Sequence, residues 1–181
     1  RSQSFKRKTT STIDQLDHQL KFSTVVGFVQ PMTGLLGLTF KRYANGMSEY
    51  NAAFSYNYQN ALSGKAPDYT IKYSRALVSR GDLPNATAPA ATVSGTSVYF
   101  TWTDNSGTGK AANTDKAVLI AYSEDVKQTH FSTTVAVRGD GAATLDVTNF
   151  KGSTIQTWIA FLSADGKEAA NSFYTGELVI S

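Results

Sequence analysis

No cysteine occurs anywhere in the sequence, which removes disulfides, zinc–thiolate centres and thiol nucleophiles together. Hydrophobic packing must therefore hold the fold unaided. Histidine is nearly absent too. His18 falls in a stretch of helical period and His130 in a strand-like run, whereas a metal site wants clustered ligands and a catalytic triad wants a histidine between a carboxylate and a serine. Both read as ordinary surface or half-buried side chains. Charged residues make up only 17% of the chain. The carboxylates of Asp104, Asp115, Glu124, Asp125, Asp140, Asp146, Asp165 and Glu168 are scattered over turns and strand edges, where they serve local hydrogen bonding. Ser106-Gly107-Thr108-Gly109-Lys110-Ala111 fails as a phosphate loop, because Asp104 stands where a glycine is needed and Ala111 where a hydroxyl is needed. No run approaches the roughly 18 consecutive apolar residues of a membrane span. The expectation is a protein that is not an enzyme, with no cofactor, no metal and no transmembrane segment.

What is present is apolar and aromatic: 41% hydrophobic residues, with nine tyrosines and ten phenylalanines, ample for a real core. From Leu83 onward the chain reads as short strands. Val98-Tyr99-Phe100-Thr101-Trp102 and Ala117-Val118-Leu119-Ile120-Ala121-Tyr122 are β-branched and aromatic runs bounded by Gly, Asn, Asp and Ser, and Thr144-Leu145-Asp146-Val147 alternates. Thr157–Leu162 runs into Asp165-Gly166, a strong hairpin signal, and Ser172–Ile180 returns. Strands at this spacing, with turns and no helical period between them, favour two packed antiparallel sheets.

Pro89 leading into a strand, Trp102 inside the next, and Trp158-Ile159-Ala160-Phe161-Leu162 before a short hairpin resemble a fibronectin type III domain over residues 83–181. That family carries a core tryptophan on its second strand and an aromatic, usually tyrosine, on its penultimate one. The resemblance implies an immunoglobulin-like β-sandwich and no particular ligand.

The first 82 residues have another period. Residues 1–10 form a basic polar tail, with Arg1, Lys6, Arg7 and Lys8 among Ser, Thr and Gln, and read as solvated rather than as a nucleic-acid site, since no aromatic platform or basic helix face accompanies them. The chain opens on Arg rather than Met, which suggests a processed product. Residues 11–82 read as a helical element ending in a strand. Ser11 and Asp14 resemble a capping box, Ile13, Leu16, Leu20, Val25, Phe28 and Val29 recur at helical spacing, and Pro31 should divide that helix near Gln30. A second helix is expected from Ser48 to Leu62, on which Tyr50, Phe54, Tyr58 and Leu62 fall every four residues. Tyr69–Ser79 reads as a strand, and Gly81 to Pro89 as the linker between the two halves. Arg80-Gly81-Asp82 and Arg138-Gly139-Asp140 both spell an adhesion tripeptide, but Gly-Asp is also what tight turns prefer.

Gln19-Leu20-Lys21-Phe22, Phe28-Val29-Gln30-Pro31-Met32, Pro67-Asp68-Tyr69, Ser79-Arg80-Gly81-Asp82-Leu83-Pro84 and Thr101-Trp102-Thr103-Asp104-Asn105-Ser106-Gly107 together resemble an uncharacterised family abundant in Bacteroidota genomes. The resemblance spans nearly the whole chain and implies an architecture without a chemistry.

The fold expected is thus α+β: an N-terminal helical element followed by an antiparallel fibronectin-type sandwich. Tyrosines crowd the region before the linker, and aromatics with a polar tip are enriched at protein interfaces, so Tyr50, Phe54, Tyr56, Tyr58, Tyr69 and Tyr73 are the candidate interface. A seam between helices and sandwich within one chain is the equal alternative for them. The expected function is non-catalytic structural or assembly work with a protein partner, a second copy included, without nucleic acid. A carbohydrate- or peptide-binding module using exposed aromatics is the alternative. The sequence leaves the compartment open, with a cell-surface or extracellular place slightly ahead of the cytoplasm.

Overall fold

The computed structural model describes residues 12–181. The basic tail over 1–10 and Ser11 lie outside the described residues. Helix α1, Ile13–Val29, starts from a capping box one residue later than expected. The Gln15 N–H reaches Thr12 Oγ1 at 3.3 Å, while the Thr12 N–H reaches Gln15 Oε1 at 2.9 Å. Two otherwise unpaired backbone donors are thereby satisfied. Pro31, which cannot donate to the helical ladder, sits in a 3₁₀ turn over Gln30–Met32 that divides α1 from α2, Thr33–Thr39. The stretch Ile13–Thr39 is long and apolar enough to cross a membrane by length and composition alone. Here its buried side chains, Val25, Phe28, Val29, Met32, Leu35 and Leu36, pack into the protein core. Helix α3, Glu49–Asn60, is capped by Ser48, whose hydroxyl accepts from the Asn51 N–H.

After α3 the structure departs from the expected strand over Tyr69–Ser79. A small hairpin, β1 (Leu62–Lys65) and β2 (Asp68–Ile71), takes its beginning, and a 3₁₀ turn over Tyr73–Arg75 ends it. The remainder runs extended with side chains in place of a neighbouring strand. Asn57 gives its Nδ2 to Leu77 O at 2.9 Å and takes the Leu77 N–H at 3.1 Å, and Ser172 Oγ accepts the Val78 N–H at 3.0 Å. This buried backbone is satisfied without a ladder. The expected linker over Gly81–Pro89 is likewise no exposed tether. Gly81, Leu83 and Ala86 are buried, and β3, Thr87–Ser94, begins within it.

Six further strands follow: β4 (Ser97–Thr103), β5 (Lys116–Ser123), β6 (Gln128–Ser132), β7 (Ala142–Asp146), β8 (Thr154–Leu162) and β9 (Phe173–Val179). Two antiparallel sheets result, ordered β3-β4-β7 and β6-β5-β8-β9. At the centre of the second, Leu119 pairs with Ile159 and Ile120 with Trp158. Successive side chains of a strand point to opposite faces, and here both faces are covered. Ala117, Leu119, Ala121, Ile159 and Phe161 meet Val98, Phe100, Trp102 and Leu145 of the other sheet in one core. Val118, Ile120, Tyr122, Trp158, Ala160 and Leu162 meet the helices in a second core. The helical half is therefore a third layer on the four-stranded sheet.

The fit is tightest where residues 79–83 pass the loop before β9. Ser79 Oγ donates to Ala170 O, the Gly81 N–H to Asn171 Oδ1, and the Leu83 N–H to Ala169 O. A Cβ on Gly81 would lie 1.9 Å from Ala169 O. Gly81→Ala is expected to cost about 1–3 kcal/mol by overpacking. Gly37→Ala, in a helix with nothing within 4 Å of the new methyl, should instead gain about 0.5–1 kcal/mol. Urea titration of both variants checks the contrast, and equal effects would show that the contact is not the cause.

Candidate functional site

The six candidate aromatics are all half-buried and are not brought to one place. Tyr50, Phe54 and Tyr58, four residues apart on α3, turn inward and pack on the helix–sheet core. The Phe54 ring lies 4.9 Å from that of Phe22 on α1. Tyr69 donates from the β1–β2 hairpin to Asp17, which also pairs with Lys21 one helical turn on. Those two hydrogen bonds, from Lys21 and then Tyr69, hold the Asp17 carboxyl below its usual range.

Tyr73 belongs to an aromatic cluster at the seam, with ring centroids 5.8 Å from Phe28, 6.2 Å from Tyr122 and 6.0 Å from Trp158. Its hydroxyl donates to Glu124 at 2.6 Å. Burial, then the Glu124 hydrogen bond, pushes its phenol well above the ordinary tyrosine range, and burial followed by the Glu124 charge pushes Tyr122 up to about 12. These shifts record packing of neutral rings, not a poised base.

Tyr56 is the exception: it faces a groove along the outer side of α3. The Arg80 guanidinium lies over the Tyr56 ring at 5.0 Å and the Tyr43 ring at 4.2 Å. A cavity of about 330 Å³ there is lined by Tyr43, Met47, Ala52, Ser55, Tyr56, Gln59, Asn60 and Arg80. A neighbouring one of about 400 Å³ shares Tyr56, Gln59 and Asn60 with it and adds Arg75, Leu77, Ser172 and Tyr174. Tyr43, Gln59, Arg75 and Arg80 were not legible as a site, because they come from separate segments with no common motif.

The adhesion tripeptides resolve into structure. Arg80-Gly81-Asp82 is seated on the seam, with Asp82 accepting from Tyr43 and pairing with Arg42 at 3.1 Å. Arg42 also pairs with Glu168, joining the helical half to the β8–β9 connection. Arg138 is fully buried, which no adhesive arginine can be. Both tryptophans are buried as well, Trp102 at 6% exposure and Trp158 at 0%, so neither forms a surface platform for a sugar ring. His18 and His130 are exposed and on different layers. Asp104, Asp140, Asp146 and Asp165 each cap a local turn, accepting backbone N–H groups of Ser106, Val137, Thr148 and Lys167. Among the described residues no group of three or more His, Asp or Glu side chains is placed to hold a metal ion.

Compared with known proteins, the chain matches a family described as a family of unknown function, DUF6266, over residues 1–176. No curated protein matches it.

Proposed function

We propose, for a chain that belongs to this family of unknown function, a non-catalytic role in assembly, in which the helical layer carries the contacts and the two-sheet half is the scaffold. The observation that carries the reading is the second face of α1. Val25, Phe28 and Val29 bury one side, while Ile13, Leu16 and Leu20, on the other side by the 3.6-residue turn, are 86%, 49% and 36% exposed. A helix apolar on both sides is ordinarily covered on both. We propose a second copy of this chain as what covers it. The nearby Phe22, also exposed, would widen the contact.

The finer fold reading belongs to the same proposal. Seven strands divided three and four, with β4 and β8 carrying Trp102 and Trp158, support a fibronectin type III-like sandwich. The residue resemblance supports a Bacteroidota bacterium as its source. A place at the cell surface or outside the cell is part of what is proposed.

Sedimentation of the purified protein across a concentration series tests the assembly. The wild type should associate at tens of micromolar. Leu16→Glu with Leu20→Glu should be monomeric with Tm unchanged to within about 2 °C, as for exposed positions. A wild type that stays monomeric at the highest concentration would remove the reading.

A further inference from the structure

We propose that the groove beside α3 binds an acidic segment of a partner chain, with Arg80 taking one carboxylate and Arg75 a second. This deepens the assembly reading and rests on it, since it names the chemistry of what the helical layer recognises. Among the described residues, neither guanidinium has an acceptor or an ion-pair partner, although Arg42, Arg138, Lys21, Lys110 and Lys167 all pair with carboxylates. Neither cavity is lined by any aspartate or glutamate. The groove thus carries positive charge that no ion pair among the described residues neutralises.

Arg80 is also held in place. Its own N–H is fixed to Thr39 O at 3.1 Å, and its guanidinium stacks on Tyr43 and Tyr56. Stacking engages the face of the group and leaves its N–H edge for a ligand. A preorganised planar fork matches a planar carboxylate bidentately. Gln59 and Asn60, shared by both cavities, offer amide groups to a backbone lying between the two arginines. An extended chain spanning the cavities fits better than one small acid.

Hexaglutamate titrated into ¹⁵N-labelled protein at constant ionic strength is the test, with glutarate and inorganic phosphate as competitors. The Arg80 Nε–Hε resonance should shift saturably, and glutarate and phosphate should each bind at least tenfold more weakly. Arg80→Lys, which keeps the charge and loses the fork, should weaken hexaglutamate at least tenfold. Arg75→Gln, at an exposed position whose loss does not threaten folding, should weaken it about threefold. An unmoved Arg80 resonance, or Arg75→Gln and Arg80→Lys binding like wild type, would overturn the assignment. Phosphate competing on equal terms would replace the carboxylate site with a general anion site, and glutarate binding as tightly as the peptide would overturn the extended segment. Hexaglutamate binding by a protein that sediments only as a monomer would leave this site standing and remove self-assembly.

Discussion

Arg138→Ala is expected to lower the stability by about 3–5 kcal/mol, because it strands a buried carboxylate. Arg138 is wholly inaccessible. Its Nε donates to Asp115 at 3.1 Å, Nη1 to Asn105 Oδ1 at 2.7 Å and Nη2 to Pro84 O at 2.8 Å, and its guanidinium lies 4.3 Å over the Phe161 ring. Its carbonyl accepts from Trp102 Nε1 at 2.8 Å. The side chain therefore ties the segment leading into β3, the β4–β5 loop and β8 at one end of the two-sheet core. For a chain of this size the loss corresponds to a fall in Tm of about 6–20 °C. Asp115→Ala in the Arg138→Ala background should recover part of it, since removing both charges is far less costly than removing one. Thermal unfolding of the two single variants and the double variant measures the coupling. A single-variant loss below about 1 kcal/mol would mean that water reaches Asp115 and that the pair is not buried in solution.

The second large effect is expected from Phe28→Ala, at about 3–5 kcal/mol for a buried phenylalanine. Phe28 is where α1 meets the sheet, its ring 5.4 Å from Tyr122, 5.8 Å from Tyr73 and 6.2 Å from Trp158. Were the helices to leave, Val118, Ile120, Tyr122, Trp158 and Leu162 would form an exposed apolar face on the four-stranded sheet, which a soluble domain rarely tolerates. We propose that residues 12–82 and 83–181, although different in secondary structure, unfold as one unit. Helical circular dichroism and Trp158 fluorescence should then fall together in the wild type and together, earlier, in Phe28→Ala. Two separated transitions, with the fluorescence change confined to the second, would make the halves independent domains.

Much of the fold was legible because its signals are local. The break at Pro31, the start of a helix at Ser48, the Asp165-Gly166 hairpin and the runs that became β4, β5 and β8 each depend on a few adjacent residues. The apolar runs of β5 and β8 also carried a signal of double burial, since a strand with one wet face alternates, whereas Ala117–Tyr122 does not. The strand expected over Tyr69–Ser79 failed for a non-local reason: Asn57 and Ser172 meet its backbone groups, so an apolar extended segment never needed a ladder. The candidate aromatics were found as residues but not as a site. Tyrosine spacing on α3 shows which rings share a face, and cannot show that Tyr56 points to Arg80 rather than to Phe22.

The two Arg-Gly-Asp tripeptides separate what each level decides. The sequence alone excludes thiol chemistry and reads both as tight turns, since Gly-Asp suits a bend; Arg138-Gly139-Asp140 is one, a 3₁₀ turn, whereas Arg80-Gly81-Asp82 has no turn and leads into a bridge between Asp82 and Ala170. Only tertiary packing decided that Arg138 is sealed against Asp115 beneath Phe161 while Arg80 is stacked on two tyrosines beside an open groove. Identical local chemistry met different neighbours, and the fate of a guanidinium depends on which distant carboxylates and rings the fold brings within reach.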